Sequence, residues 1–218
     1  MKPLLFIVFL GLVARQAAAA SLLINDSFTG SLASWTASGT VFNTGDSAVF
    51  SDSVAAPTSI FQSVAAPSDF AGFDLTFDFF NGLSSTAQPG FVPDVFFATL
   101  YLGRDPFGPS LGSAVFDQVI PLFDLDHTGA FNLAAGATVG ASPKGAGWVR
   151  YSLTRQTAPS FTDPGFLTVA FEFFNLNGTG SDSVVAVDNV NLAKAVPEPG
   201  RSLLAGVSLL LLLFRRRR

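Results

Sequence analysis

The chain of 218 residues has no cysteine. Disulfides, thiol nucleophiles and cysteine-ligated metals are excluded, even in a compartment that would permit disulfides. His127 is the only histidine, and no Ser-His-Asp spacing around it suggests a nucleophile. Lysine and glutamate are scarce, at three and two residues. Between residues 21 and 194 the basic residues are Arg104, Lys144, Arg150, Arg155 and Lys194, against fourteen aspartates and Glu172. That segment therefore carries a net charge of about −10, which the whole-chain value of −4 hides because basic residues crowd the two ends. Such a surface repels nucleic acid, which is not expected as a partner, and anionic membrane. It suits divalent cations, or simply solubility. The same segment also lacks any stretch with a 3.6-residue apolar period.

Period-two patterning takes its place. Phe73, Leu75, Phe77 and Phe79 alternate with Asp74, Thr76 and Asp78. Val149, Tyr151 and Leu153 alternate with Trp148, Arg150 and Ser152, and Leu167, Val169, Phe171 and Phe173 repeat the pattern. Residues 95–102 are apolar on both faces and read as a central strand. Turn signals separate these runs, among them Asn81-Gly82, Pro89-Gly90 and Asp163-Pro164-Gly165. Many short strands between turns predict an all-β fold, an antiparallel β-sandwich over residues 21–194. Residues 103–147 are expected to hold one or two strands within extended loops. Phe is abundant, at 24 residues, and is assigned to the core by default because it has no polar handle. Phe77-Asp78-Phe79-Phe80-Asn81 is echoed by Phe171-Glu172-Phe173-Phe174-Asn175, which suggests two strands with similar core and rim positions, as neighbours in one sheet.

The two ends are different in kind. Lys2, a short apolar run over residues 4–13 and small residues at Ala17 to Ala20 form a signal peptide, residues 1–20, with cleavage after Ala19 or Ala20. At the other end Val196-Pro197-Glu198-Pro199-Gly200 precedes an apolar run over residues 203–214 and then Arg215, Arg216, Arg217 and Arg218. The run is shorter than the roughly 20 residues that cross a bilayer core. Counting from Val196 lengthens it, and Arg201 can snorkel to the interface. The arginine cluster stays cytoplasmic under the positive-inside rule. Residues 195–218 resemble the PEP-CTERM sorting domain. In that family Pro197, Glu198 and Pro199 are the recognition element for an exosortase, the helix is a membrane anchor and the arginines are the stop. The resemblance implies export across the inner membrane, anchoring before sorting, and then a cell-surface or extracellular location. A simple anchor behind a rigid Pro-Glu-Pro linker is the plain alternative.

The middle also carries a resemblance. Asn25-Asp26-Ser27-Phe28 followed by Gly30, Leu32 and Trp35 is similar to the opening of carbohydrate-binding-module-type jelly rolls, the galactose-binding-like sandwiches. Residues 59–64 and 73–79 are similar to the next strands, and Val187-Asp188-Asn189-Val190-Asn191-Leu192 to the closing one. The resemblance implies a jelly roll flanked by the signal helix and the anchor helix, with Trp35 packed beneath the first strand. It also implies a structural calcium ligated by Asp188 and an acidic residue after the first-strand Phe. Thr29 stands at that place, so Asp26, backbone carbonyls and water would complete the set. The competing reading has Asp188 and Asn189 bonding local backbone at a strand bulge. Asp124, Asp126 and His127 lack the glycine and distal glutamate of an EF-hand and read as a solvated acidic loop.

A sugar site needs aromatic faces beside amides and carboxylates in a concavity. Trp148 is the candidate platform, with Arg150, and Arg155 further along, as hydrogen-bond donors; the alternative is that Trp148 merely covers an edge. No motif selects a pair of carboxylates for glycoside hydrolysis. The functional expectation is a non-catalytic, exported surface or matrix protein whose jelly roll associates with exopolysaccharide. The alternative is a structural or adhesive envelope protein without a specific sugar site.

Overall fold

The computed structural model describes residues 20–51, 57–68, 70–84, 89–106, 116–126, 128–156, 165–176 and 183–195. Residues 1–19, where a signal peptide is expected, and Pro197, Glu198, Pro199, His127 and the four C-terminal arginines lie outside the described residues. Among the described residues there is no helix; every regular element is a strand.

Twelve strands among the described residues form two antiparallel sheets. They are β1 (Thr36–Ser38), β2 (Val41–Asn43), β3 (Ala48–Ser51), β4 (Thr58–Ala65), β5 (Gly72–Gly82), β6 (Val95–Gly103), β7 (Phe116–Asp126), β8 (Phe131–Leu133), β9 (Thr138–Ala141), β10 (Trp148–Gln156), β11 (Phe166–Phe174) and β12 (Val184–Lys194). The first sheet runs β1-β4-β11-β6-β7-β8 and the second β2-β3-β12-β5-β10-β9. The chain passes repeatedly between sheets, as in a jelly roll, and the result is a two-sheet sandwich with one core. Strand β6 is central, as its two apolar faces imply. Residues 103–147 hold more strand than expected, because β7, β8 and β9 all fall there. Asn81-Gly82 is the end of β5 rather than a turn.

Alternation places the core. Phe73, Leu75, Phe77 and Phe79 of β5 are fully buried, as are Leu167, Val169 and Phe171 of β11. The Phe echo joins opposite layers, not neighbours: β5 is in the second sheet and β11 in the first. Phe77 stacks on Tyr151 at 4.8 Å between centroids and on Phe123 at 5.5 Å. The Tyr151 hydroxyl, itself buried, donates across the interface to the Leu122 carbonyl at 3.0 Å. This satisfies a polar group that would otherwise cost a kilocalorie or more.

Residues 20–35 form no strand, although the resemblance implied one. Asn25, Phe28 and Ser34 all have left-handed φ. The Asn25 side chain donates to the Ser31 and Ala33 carbonyls, and the Asn25 backbone carbonyl accepts the Trp35 indole N–H. Such local bonding competes with a ladder. The segment is nonetheless fastened. Gln62 of β4, nine-tenths buried, bonds Ile24 through both ends of its amide. Leu22 N–H donates to the Leu192 carbonyl at 2.6 Å, and Val190 N–H to the Asp26 carbonyl at 2.8 Å. Trp35 is buried against Phe28, as expected of a core residue.

Candidate functional site

Two outward faces carry chemistry. On the second sheet, Asp78 of β5 is the register partner of both Arg150 on β10 and Asp188 on β12. Arg150 grips Asp78 with two bonds, Nε to Oδ1 at 2.8 Å and Nη2 to Oδ2 at 2.7 Å. A bulge between Asp188 and Asn191 puts Asn189 at φ 49°, a conformation asparagine tolerates, and turns its amide to donate to Asp78 Oδ2 at 2.8 Å. Burial pushes the Asp78 carboxyl up, but the bonds from Arg150, Asn189 and Ser142 outweigh it and hold it below the ordinary range. Asp188 is buried too, and there burial wins: its carboxyl is raised despite the ammonium of Lys144 on Oδ2.

Lys144 comes from the tight loop between β9 and β10. Gly147 permits that loop: its φ is +82°, and an added Cβ would stand 2.8 Å from the Phe80 ring. Lys144 Nζ lies 4.5 Å from the centroid of the Trp148 ring and 3.1 Å from Asp46 Oδ2. Its amine is raised because these carboxylate bonds exceed the opposing effect of burial. Trp148 points outward as its alternation implies, half-buried between Lys144 and Phe80. On the Arg150 side of the same face a cleft of about 510 Å³ is lined by Asp26, Thr76, Pro143, Arg150, Asn189 and Asn191 among others, with Trp148 outside its lining. The structure thus brings Trp148, Arg150, Asp26 and Asp188 to one region, with Arg150 committed to Asp78.

The donor set does not fit calcium. Calcium takes six to eight oxygens. Here one Asp188 oxygen is held by an ammonium, a guanidinium lines the cleft beside Asp26, and the Asp26 carbonyl accepts Val190 N–H. Asp188 Oδ1 and Asn191 Oδ1 are buried and have no hydrogen-bond partner among the described residues. The bulge of the competing sequence reading is present, but the Asn189 and Asp188 side chains bond Asp78 and Lys144 rather than local backbone. Asp124 and Asp126 are not loop residues but belong to β7, where Asp126 Oδ1 accepts from Thr128 and Ala130 N–H to close a turn.

The first sheet holds a feature that sequence reasoning missed. Four outward residues form one row across β11, β6, β7 and β8: Glu172 pairs with Phe97, Phe97 with Asp124, and Asp124 with Asn132. Phe174 stands edge-on to Phe97, centroids 5.5 Å apart at 85°. Leu122 is an extra residue in β7 at a register shift, and the strand bends there. Next to it Pro121 sits where β7 has no outer neighbour to miss an N–H. The result is a groove of about 520 Å³. Glu172 is raised by burial, against the lowering effect of the Tyr101 hydroxyl that donates to it. Tyr101 is in turn pushed up to about 12, by burial and then by the Glu172 charge. The signal was present in the two apolar faces of residues 95–102 and in the Phe-Phe pairs, which were all assigned to the core.

No family model matches the chain, and no curated protein matches it. Solved structures do. The enzymatically active domain of tailspike protein 4 from bacteriophage CBA120 is similar at 14% identity and TM-score 0.47, over 81% of this chain and 22% of that one. This chain thus spans about a fifth of the tailspike chain's length. TmCBM61 in complex with beta-1,4-galactotriose is similar at 11% identity and TM-score 0.47, over 80% of this chain and 99% of that one. CBM28, a carbohydrate-binding module specific for non-crystalline cellulose, is similar at 13% identity and TM-score 0.41, over 81% of this chain and 97% of that one.

Proposed function

We propose that this chain is an exported, non-catalytic polysaccharide-binding protein, and that the sugar lies in the groove of the first sheet. The observation that carries the reading is the row Glu172, Phe97, Asp124, Asn132, with Phe174 beside it. A pyranose presents C–H faces that pack on phenyl rings and hydroxyls that bond carboxylate and amide oxygens. The row offers both within one groove whose volume suits a few sugar units. The resemblance of residues 195–218 to PEP-CTERM tails supplies the setting: exosortase as a partner, retention in the membrane before sorting, and exopolysaccharide as the natural ligand. Trp148 and Arg150, with the cleft of the second sheet, are a second place for sugar contact on the same domain.

The test is affinity electrophoresis of the full-length chain through gels containing a panel of polysaccharides. Retardation by one of them that Phe97→Ala and Phe174→Ala each weaken supports the groove. Retardation sensitive only to Trp148→Ala moves the site to the second sheet. A folded protein that no polysaccharide retards favours a structural or adhesive envelope role.

A further inference from the structure

Asp78 and Asp188 stand opposite one another on β5 and β12, and both are buried. Like charges so placed repel, and each buried carboxylate needs a countercharge. A divalent ion is one solution to such a pair. The chain supplies another, two fixed cations: Arg150 on Asp78, and Lys144 on Asp188 and Asp46. The Lys144 side chain is itself only 14% exposed, held between Asp188 and the Trp148 ring. Its position is set by the loop geometry, where its own N–H donates to Ser142 Oγ at 3.0 Å.

We infer that Lys144 is the resident cation of this corner, standing in place of a divalent metal and locking the closing strand to the β9–β10 loop without calcium. The ammonium satisfies one oxygen of Asp188. The other, with Asn191 Oδ1, has no hydrogen-bond partner among the described residues. Without the lysine, the Asp188 carboxylate and Asp46 lose their paired cation, and the remaining charge, Arg150, is bound to Asp78. Lys144→Gln therefore turns a metal-independent corner into one that a divalent ion stabilises.

Thermal unfolding of the full-length wild type and of Lys144→Gln is followed in millimolar calcium and in chelator. Terbium is titrated in parallel with tryptophan excitation, since Trp148 lies against the site. The wild type is expected to melt at the same temperature in both solutions, within about 1 °C, well below the shift that a 1 kcal/mol change produces. It gives no saturable terbium emission. Lys144→Gln melts several degrees lower in chelator, recovers in calcium and gives terbium emission. A wild-type melt that falls in chelator, or wild-type terbium emission that Asp188→Asn removes, overturns the inference. So does a Lys144→Gln variant indifferent to calcium. Should that variant not fold in either solution, the wild-type melts and the Asp188→Asn control decide alone.

Discussion

Phe77 of β5 meets Phe171 of β11 edge-on across the sandwich, ring centroids 5.0 Å apart at 78°. Both rings are fully buried, and each belongs to one copy of the Phe-rich echo. Phe171→Ala should therefore destabilise the domain by about 3 to 5 kcal/mol, the usual range for a phenylalanine removed from a close-packed core. Phe97→Ala, on the half-buried outer face of β6, should cost about 1 kcal/mol or less. Urea unfolding midpoints separate the two.

The Arg150–Asp78 pair makes a second prediction. Asp78 is wholly buried, so Arg150→Ala leaves a carboxylate with only neutral donors and should cost about 3 to 5 kcal/mol. Adding Asp78→Asn to that variant should recover a large part of the loss. A double-mutant cycle with no coupling between the two positions would contradict the geometry.

Stability should depend on pH in two opposite directions. Asp78 is held below its ordinary value, so its contribution is present above that value and is lost as pH falls through the depressed one. Glu172 is raised, so the folded state keeps its proton longer than the unfolded chain does. Stability then declines as pH rises from about 4.5 through the raised value. Glu172→Gln should remove its share of that decline, gaining about 1 kcal/mol or less near neutral pH, while the raised Asp188 keeps the rest and the acid-side loss stays intact. Urea midpoints measured across the acid to neutral range read both limbs.

For sugar binding, each ring of the groove should contribute about 1.5 kcal/mol, so Phe97→Ala and Phe174→Ala should each weaken retardation roughly tenfold. Asn132→Ala should weaken it less, since its amide is exposed and flanks the aromatic pair. Affinity electrophoresis at graded polysaccharide concentration gives the ratios.

Alternation made most of the sandwich readable, because strand period and burial coincide in β5, β10 and β11. The place of Trp148 on an outward face followed from the same rule. Strand partners did not, since an echo such as Phe77-Asp78-Phe79 and Phe171-Glu172-Phe173 reports equal environments and not adjacency. The groove was hidden because Phe97 and Phe174 look identical in sequence to the buried Phe96 and Phe173. Only the register that lines up Glu172, Phe97, Asp124 and Asn132 distinguishes them. Lys144 was hidden for another reason. Its link to Asp188 spans 44 residues and depends on a turn that Gly147 makes possible.

The closing strand bears on how the domain behaves under tension. β12 runs between β3 and β5, and where β3 ends, Leu22 and Asp26 continue the hold through their backbone bonds to Leu192 and Val190. Its C-terminal end, at Lys194, is the side from which the tail departs. A pull along the strand from that side lies across the ladder bonds, which run perpendicular to the strand axis. It must shear many of them together instead of opening them one at a time. Such a joint resists a pull of that direction far better than a peeling edge strand would.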